Sequence, residues 1–162
     1  MDEVDEILAS WARELPELDT APLASFSRIT RLARHLDRAR SDAFAAHELE
    51  IWEFDVLAVL RRQGPPYEAS PGELIHETLS TSGTMTNRVN RLEARGLVVR
   101  LPNVTDRRGV VVRLTDDGRQ RVQAALSDLL EFERQILRAI PAESGQELAD
   151  LLRQLLAPFE RS

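Results

Sequence analysis

Thr84, Asn87, Asn90 and Arg91 are the residues of this chain whose types and spacing suggest chemistry. On a helix, at about 100° per residue, they lie roughly opposite the side shared by Met85, Val89 and Leu92. An apolar side packs. A side of Thr, Asn and Arg suits nucleic acid, because Asn pairs bidentately with adenine, Arg with guanine, and Thr reaches phosphate or a thymine methyl. The alternative is an ordinary solvated helix face. Ser82 and Thr86 carry hydroxyls suited to phosphate. Arg88 leans elsewhere: it sits about 65° from the centre of the packed side. That placement is poor for reading a base and better for pairing with a carboxylate or an anionic ligand.

The elements that must position these residues are legible around them. Ser80-Thr-Ser-Gly83 opens the helical pattern and Gly96 closes it. Upstream, Ser70-Pro-Gly-Glu73 places a cap, a proline at the first helical position and a glutamate three residues after the cap, which predicts a helix running through Leu74, Ile75 and Leu79. Downstream, Leu97-Val-Val-Arg-Leu101 and Val110-Val-Val-Arg-Leu114 are β-branched runs flanking a polar loop with Asp106, Arg107 and Arg108. Two helices joined by a short turn and followed by a hairpin spell a winged helix-turn-helix, a mainly α fold with a small β-hairpin wing. The second helix then enters the major groove of double-stranded DNA. Arg107 or Arg108 at the wing tip reaches the minor groove, with Asp106 holding an arginine in place.

The remaining chain reads as helices around this lobe. Residues 2–14 place Val4, Ile7, Leu8 and Trp11 at helical spacing, with Trp11 either an anchor onto the body or a ligand contact. From Ala21 to Ala46, Phe26, Ile29, Leu32, Ala33 and Leu36 form one stripe. Arg28, Arg31, Arg34 and Arg38 line another side, expected to be solvated and partly bridged to Asp37 and Asp42. Glu50 to Arg62 is almost continuously apolar and is expected to be buried, with Asp55 inside the run in need of a partner. Gln63 to Glu68 reads as a loop. Thr115-Asp-Asp-Gly118 caps a further helix to about Ile140, and Pro141 breaks it. A last helix from Glu143 puts Leu148, Leu151, Leu152, Leu155, Leu156 and Phe159 on one stripe. So apolar an end helix wants a partner, and a two-fold homodimer presents two reading helices to a pseudo-palindromic site. The expected organisation is 1–48 for dimerisation and ligand contact, 49–118 for DNA binding and 119–162 for dimerisation.

Charge is distributed to match. The chain carries a net charge of -6, yet between Ser82 and Arg121 nine arginines face four acidic residues. The positive charge is concentrated on the motif, and the acidic remainder would restrict DNA to one docking orientation. All 21 basic residues are arginine, and there is no cysteine, which excludes disulfides, zinc-thiolate sites and thiol-based redox sensing. His35, His47 and His76 lack metal-ligand spacing, no nucleophile sits beside a base, and no phosphate-cradling glycine loop occurs. Neither an enzyme nor a cofactor or metal is expected. No apolar run approaches membrane-spanning length, and the start Met1-Asp-Glu-Val-Asp-Glu lacks a signal peptide's positive region, so no membrane partner and a cytoplasmic location are expected.

Leu92-Glu-Ala-Arg-Gly-Leu97, Asp106-Arg-Arg-Gly109 and Val112-Arg-Leu-Thr-Asp-Asp-Gly118 together resemble the core signature of MarR-family transcriptional regulators. The resemblance spans about residues 25 to 160 and is strongest from Leu74 to Gly118. It implies a homodimeric repressor that releases DNA when a small, often aromatic or anionic, molecule binds. Within the family the chain is similar to the urate-responsive subgroup, with its PecS-like and trans-aconitate-type members. That similarity implies a ligand set of Trp11, Asp55, Arg88 and Arg100 and a urate-like or aconitate-like effector. Two alternatives stand beside it: a MarR-type regulator sensing a phenolic compound at a different pocket, and a winged-helix protein-interaction module without sequence-specific DNA binding.

Overall fold

Asp2 starts the first helix by accepting the backbone N–H groups of Val4 and Asp5, while the Asp5 carboxylate accepts the Asp2 N–H at 2.7 Å. In this computed structural model, which describes residues 1–103 and 109–160, the chain forms two compact units, Met1–Asp42 and Ala43–Ser162. The first contains α1 (Glu3–Glu14) and most of α2 (Ala21–Ala45). Arg28 donates to Asp2 at 2.8 Å and to Asp5 at 2.7 Å, and Arg31 pairs with Glu3. The arginine side of α2 is therefore engaged by the acidic start of the chain, where the sequence pointed to Asp37 and Asp42. The Arg28 guanidinium is the largest influence holding the Asp2 carboxyl below the usual carboxylate range. Val4 is the buried residue of α1, whereas Trp11 is 45% exposed.

The second unit holds the winged lobe: α3 (Ile51–Arg62), β1 (Glu68–Ala69), α4 (Pro71–Glu77), α5 (Ser82–Ala94), β2 (Val98–Pro102), β3 (Val110–Leu114), α6 (Asp116–Leu137) and α7 (Ser144–Leu156). Its core gathers Phe44, Val56, Leu57, Leu60, Leu74, Met85, Leu92, Leu97 and Val112, all fully buried. The sheet has three antiparallel strands in the order β1-β3-β2. Strand β1 is a correction to the loop expected there. Two residues are too few to show a period, yet Glu68 opposes Arg113 and Ala69 opposes Val112, and the Glu68 carboxylate accepts the Arg113 guanidinium at 2.6 Å.

The helix expected to run through Leu79 ends earlier. Helix α4 stops at Glu77, Leu79 takes a left-handed φ of 49°, and the Ser80 N–H donates back to the Ile75 carbonyl at 3.1 Å. That is a helix terminus of the kind glycine usually makes, built here on leucine. Leu79 consequently leaves the core and is 94% exposed. Gly118, by contrast, is where only glycine fits: an added Cβ would lie 2.1 Å from the Leu97 carbonyl oxygen, so β2 and α6 meet without a side chain between them.

Helix α3 is buried as expected, but its enclosed acid is Glu53 and not Asp55, which is only half-buried. The apolar run brings Glu53 inside because it lies one turn before Leu57 and two before Leu60, on the packed side. Arg95 meets it at 2.5 Å. His47 pairs with Asp128 of α6 at 2.7 Å. Helix α7 has no buried residue, and its stripe of Leu148, Leu151, Leu152, Leu155 and Leu156 stands exposed. No described helix is long and apolar enough to cross a membrane.

Candidate nucleic-acid interface

Helix α5 is fixed at both ends by its own sequence. Thr81 Oγ1 accepts the Thr84 N–H at 3.3 Å, relieving one of the unpaired donors of the first turn. At the other end Gly96, at φ 71°, lets its N–H reach the Glu93 carbonyl at 2.9 Å and the Leu97 N–H reach Leu92 at 3.0 Å. Met85, Val89 and Leu92 are buried beneath, while Ser82, Thr84, Thr86, Asn87, Asn90 and Arg91 are exposed. A rigid helix thus offers a row of hydroxyl, amide and guanidinium groups to whatever approaches.

Two charge networks flank that row. On one side Arg88, Arg91 and Arg95 recur at i, i+3 and i+7 and turn toward the start of α3. The Arg91 guanidinium lies over the Trp52 ring, 4.7 Å from its centroid, and that of Arg88 lies at 5.6 Å. The Trp52 indole N–H donates to Glu50 at 2.7 Å, and the other Glu50 oxygen accepts Arg91 at 2.6 Å. The Trp52 hydrogen bond is the largest influence holding the Glu50 carboxyl below its usual range; partial burial opposes it, and Arg91 adds to it. Arg95 closes the flank by donating to Glu53 and, at 2.6 Å, to the Glu48 carbonyl.

On the other side, Arg100 of β2 pairs with Glu93 and donates to the Asn90 side-chain oxygen at 2.5 Å. Beside it a cavity of about 240 Å³ is lined by Pro71, Ile75, Ser82, Met85, Thr86 and Val89, together with Arg100 and Val110. Thr86 donates its hydroxyl to the Ser82 carbonyl at 3.0 Å on this same flank. Strands β2 and β3 run on toward the wing, and the Asn103 N–H donates to the Gly109 carbonyl at 2.9 Å. Arg107 and Arg108, with Asp106, lie outside the described residues.

The sequence pattern of the MarR family matches residues 47–109. Over 150 residues the chain is 36% identical to the HTH-type transcriptional regulator PecS of Dickeya dadantii (strain 3937), covering 93% of this chain and 90% of that protein. The chain belongs to the MarR family. This MarR-family regulator shares its fold with a mutant MarR from E. coli complexed with operator DNA, at a TM-score of 0.68 and 24% identity over 96% of this chain and 99% of that one. It also shares it with an organohalide-sensing transcriptional regulator in its 2,4-dichlorophenol-bound form, at a TM-score of 0.69 and 22% identity over 89% and 83% of the two chains. Its sequence relatives over most of the chain are transcriptional regulators.

In this MarR-family chain the four residues of the expected ligand set have separate surroundings. Arg100 lines the cavity, Arg88 meets Trp52, Asp55 sits half-buried on α3, and Trp11 belongs to the other unit. Arg91 and Asn90, read from the sequence as free to touch bases, each already have a protein partner. Sequence reasoning missed Glu50 and Trp52, because a tryptophan inside an apolar run reads as core. The signal was the arginine spacing at 88, 91 and 95, which marks a helix flank needing a counterpart.

Proposed function

We propose that the chain acts as a homodimeric repressor that binds a pseudo-palindromic operator and leaves it when a small anionic or aromatic molecule binds. The observation that carries this reading is the exposed row on α5 held between two charge networks. In it, Thr84, Asn87, Asn90 and Arg91 face the bases, Ser82 and Thr86 the phosphates, and Arg107 and Arg108 the minor groove. The exposed apolar stripe of α7 supplies a surface for a second copy. A regulator of this kind works where its DNA is, in the cytoplasm.

The effector reading is supported by Arg100, whose cation borders a half-open, mainly apolar cavity next to the reading helix. A urate-like or aconitate-like anion drawing Arg100 away would release Asn90 and Glu93 from it and so disturb α5. Trp11, Asp55 and Arg88 complete the ligand set in this proposal. A phenolic effector is a second reading, favoured by the apolar cavity of about 270 Å³ between α3 and α6, lined by Phe54, Ala58, Val122 and Leu126.

The test is thermal stability of the purified chain against urate, xanthine, aconitates, citrate, salicylate and chlorophenols. Arg100→Ala, Trp11→Ala and Leu126→Trp run in parallel. A ligand that binds the folded state raises the melting temperature by mass action. A shift lost in Arg100→Ala and Trp11→Ala supports the anionic site, and one lost only in Leu126→Trp supports the phenolic one. No shift with any compound overturns the effector reading.

A further inference from the structure

Trp52 is oddly placed for a tryptophan in a buried helix. It is half-buried where its neighbours Phe54, Val56 and Leu57 are enclosed. Its ring face is turned to two guanidinium groups of the reading helix, both within the distance at which a cation is attracted to an aromatic quadrupole. Its N–H fixes the carboxylate of Glu50, and that carboxylate takes up Arg91. Glu50, Trp52 and Arg91 therefore form a closed triangle, and Arg88 shares the same ring.

We propose that Trp52 and Glu50 act as a positioning pair for DNA binding: the indole face holds Arg88 and Arg91 extended beside the reading row, and Glu50 competes with DNA for Arg91. The inference rests on the reading of α5 as the DNA-contacting helix. An arginine stacked on a ring has given up much of its rotamer freedom before DNA arrives, so less is lost when it makes a contact. Glu50 acts in the opposite direction. While it neutralises Arg91, the helix presents one cation fewer to the phosphate backbone and releases one counterion fewer on binding. Sequence-independent attraction is thereby reduced, and discrimination falls more heavily on base contacts such as that of Asn87.

The experiment measures affinity and its salt dependence for a duplex selected on the wild-type chain from a pool with about 20 randomised base pairs, enough for two half-sites one helical turn apart. The full chain is compared with Trp52→Leu, Trp52→Phe, Glu50→Gln and Asn87→Ala, each with a melting curve. Trp52→Leu is expected to weaken binding about 5- to 10-fold, and Trp52→Phe, which keeps a ring face, to recover most of that loss. Glu50→Gln is expected to tighten binding and steepen the dependence of log K on log salt by about one counterion. Equal affinity for Trp52→Leu and wild type, or equal loss for Leu and Phe, overturns the role of the ring. An unchanged salt slope in Glu50→Gln overturns the role of the carboxylate. Glu50 is largely exposed, so that second arm reads out even if Trp52→Leu fails to fold. If Asn87→Ala also leaves binding unaltered, the reading of α5 itself fails. If Asn87→Ala weakens binding while the Trp52 and Glu50 variants do not, only this inference fails.

Discussion

Arg95→Ala probes the link between the buried core and the reading helix. Arg95 sits at the C-terminal cap of α5 and donates at 2.5 Å to Glu53, whose side chain is 1% exposed. One Glu53 oxygen, Oε1, has no hydrogen-bond partner among the described residues, and the other is shared between Arg95 and the Glu50 N–H. Removing the guanidinium leaves a buried carboxylate with a single backbone donor. Breaking a fully buried pair costs about 3–5 kcal/mol. The Arg95 side chain is 35% exposed, so entering water replaces part of what is lost, and about 2–3 kcal/mol is the appropriate scale. For a chain of this size that lowers the melting temperature by roughly 5–10 °C at fixed protein concentration. Calorimetry or circular dichroism reads this directly. The double variant Glu53→Gln/Arg95→Ala, which removes the orphaned charge, should recover about 1 kcal/mol or more of the loss. A shift below about 1 °C in Arg95→Ala, or a double variant no more stable than the single, would refute the claim that this pair holds the end of α5 to the core.

Three further outcomes are expected. Leu79→Gly should raise stability by about 1 kcal/mol, because a leucine at positive φ is strained and at 94% exposure contributes no burial; a lower melting temperature would contradict this. Gly118→Ala should destabilise by about 2 kcal/mol or more despite alanine's better helix propensity, since its Cβ meets a backbone oxygen at 2.1 Å; a neutral result would mean that β2 and α6 separate easily. Glu73 has its carboxyl held below the ordinary range, chiefly by the Ser70 N–H. Its contribution to stability is therefore present above the ordinary carboxylate value and fades as pH falls through the lowered one. Glu73→Gln should flatten the acid limb of a stability–pH curve, and identical limbs would rule the capping box out as a source of acid sensitivity.

The winged lobe was legible because each of its elements carries a local device: Ser70 and Thr115 as caps, Gly96 as a terminator, β-branched runs for β2 and β3. What escaped was pairing between distant segments. Strand β1 exists only because β3 offers it an edge, and Asp55 seemed the buried acid because periodicity does not say which side of an apolar helix is open. Trp52 was hidden for the same reason. Its role comes from arginines 36 and more residues away, which no local pattern joins to it. The exposed face of α5 was visible from spacing alone, but the partners that already occupy Asn90 and Arg91 were not.

The most direct measurement of the central claim is fluorescence anisotropy of a labelled duplex selected on the wild-type chain, titrated at several salt concentrations with wild type and with Asn87→Ala/Asn90→Ala. Neither amide carries charge, so the double variant should lose at least about tenfold in affinity for the selected duplex while keeping the salt slope and its affinity for unrelated DNA. Equal loss on selected and unrelated duplexes, or no loss on either, would contradict the assignment of α5 as the helix that reads sequence.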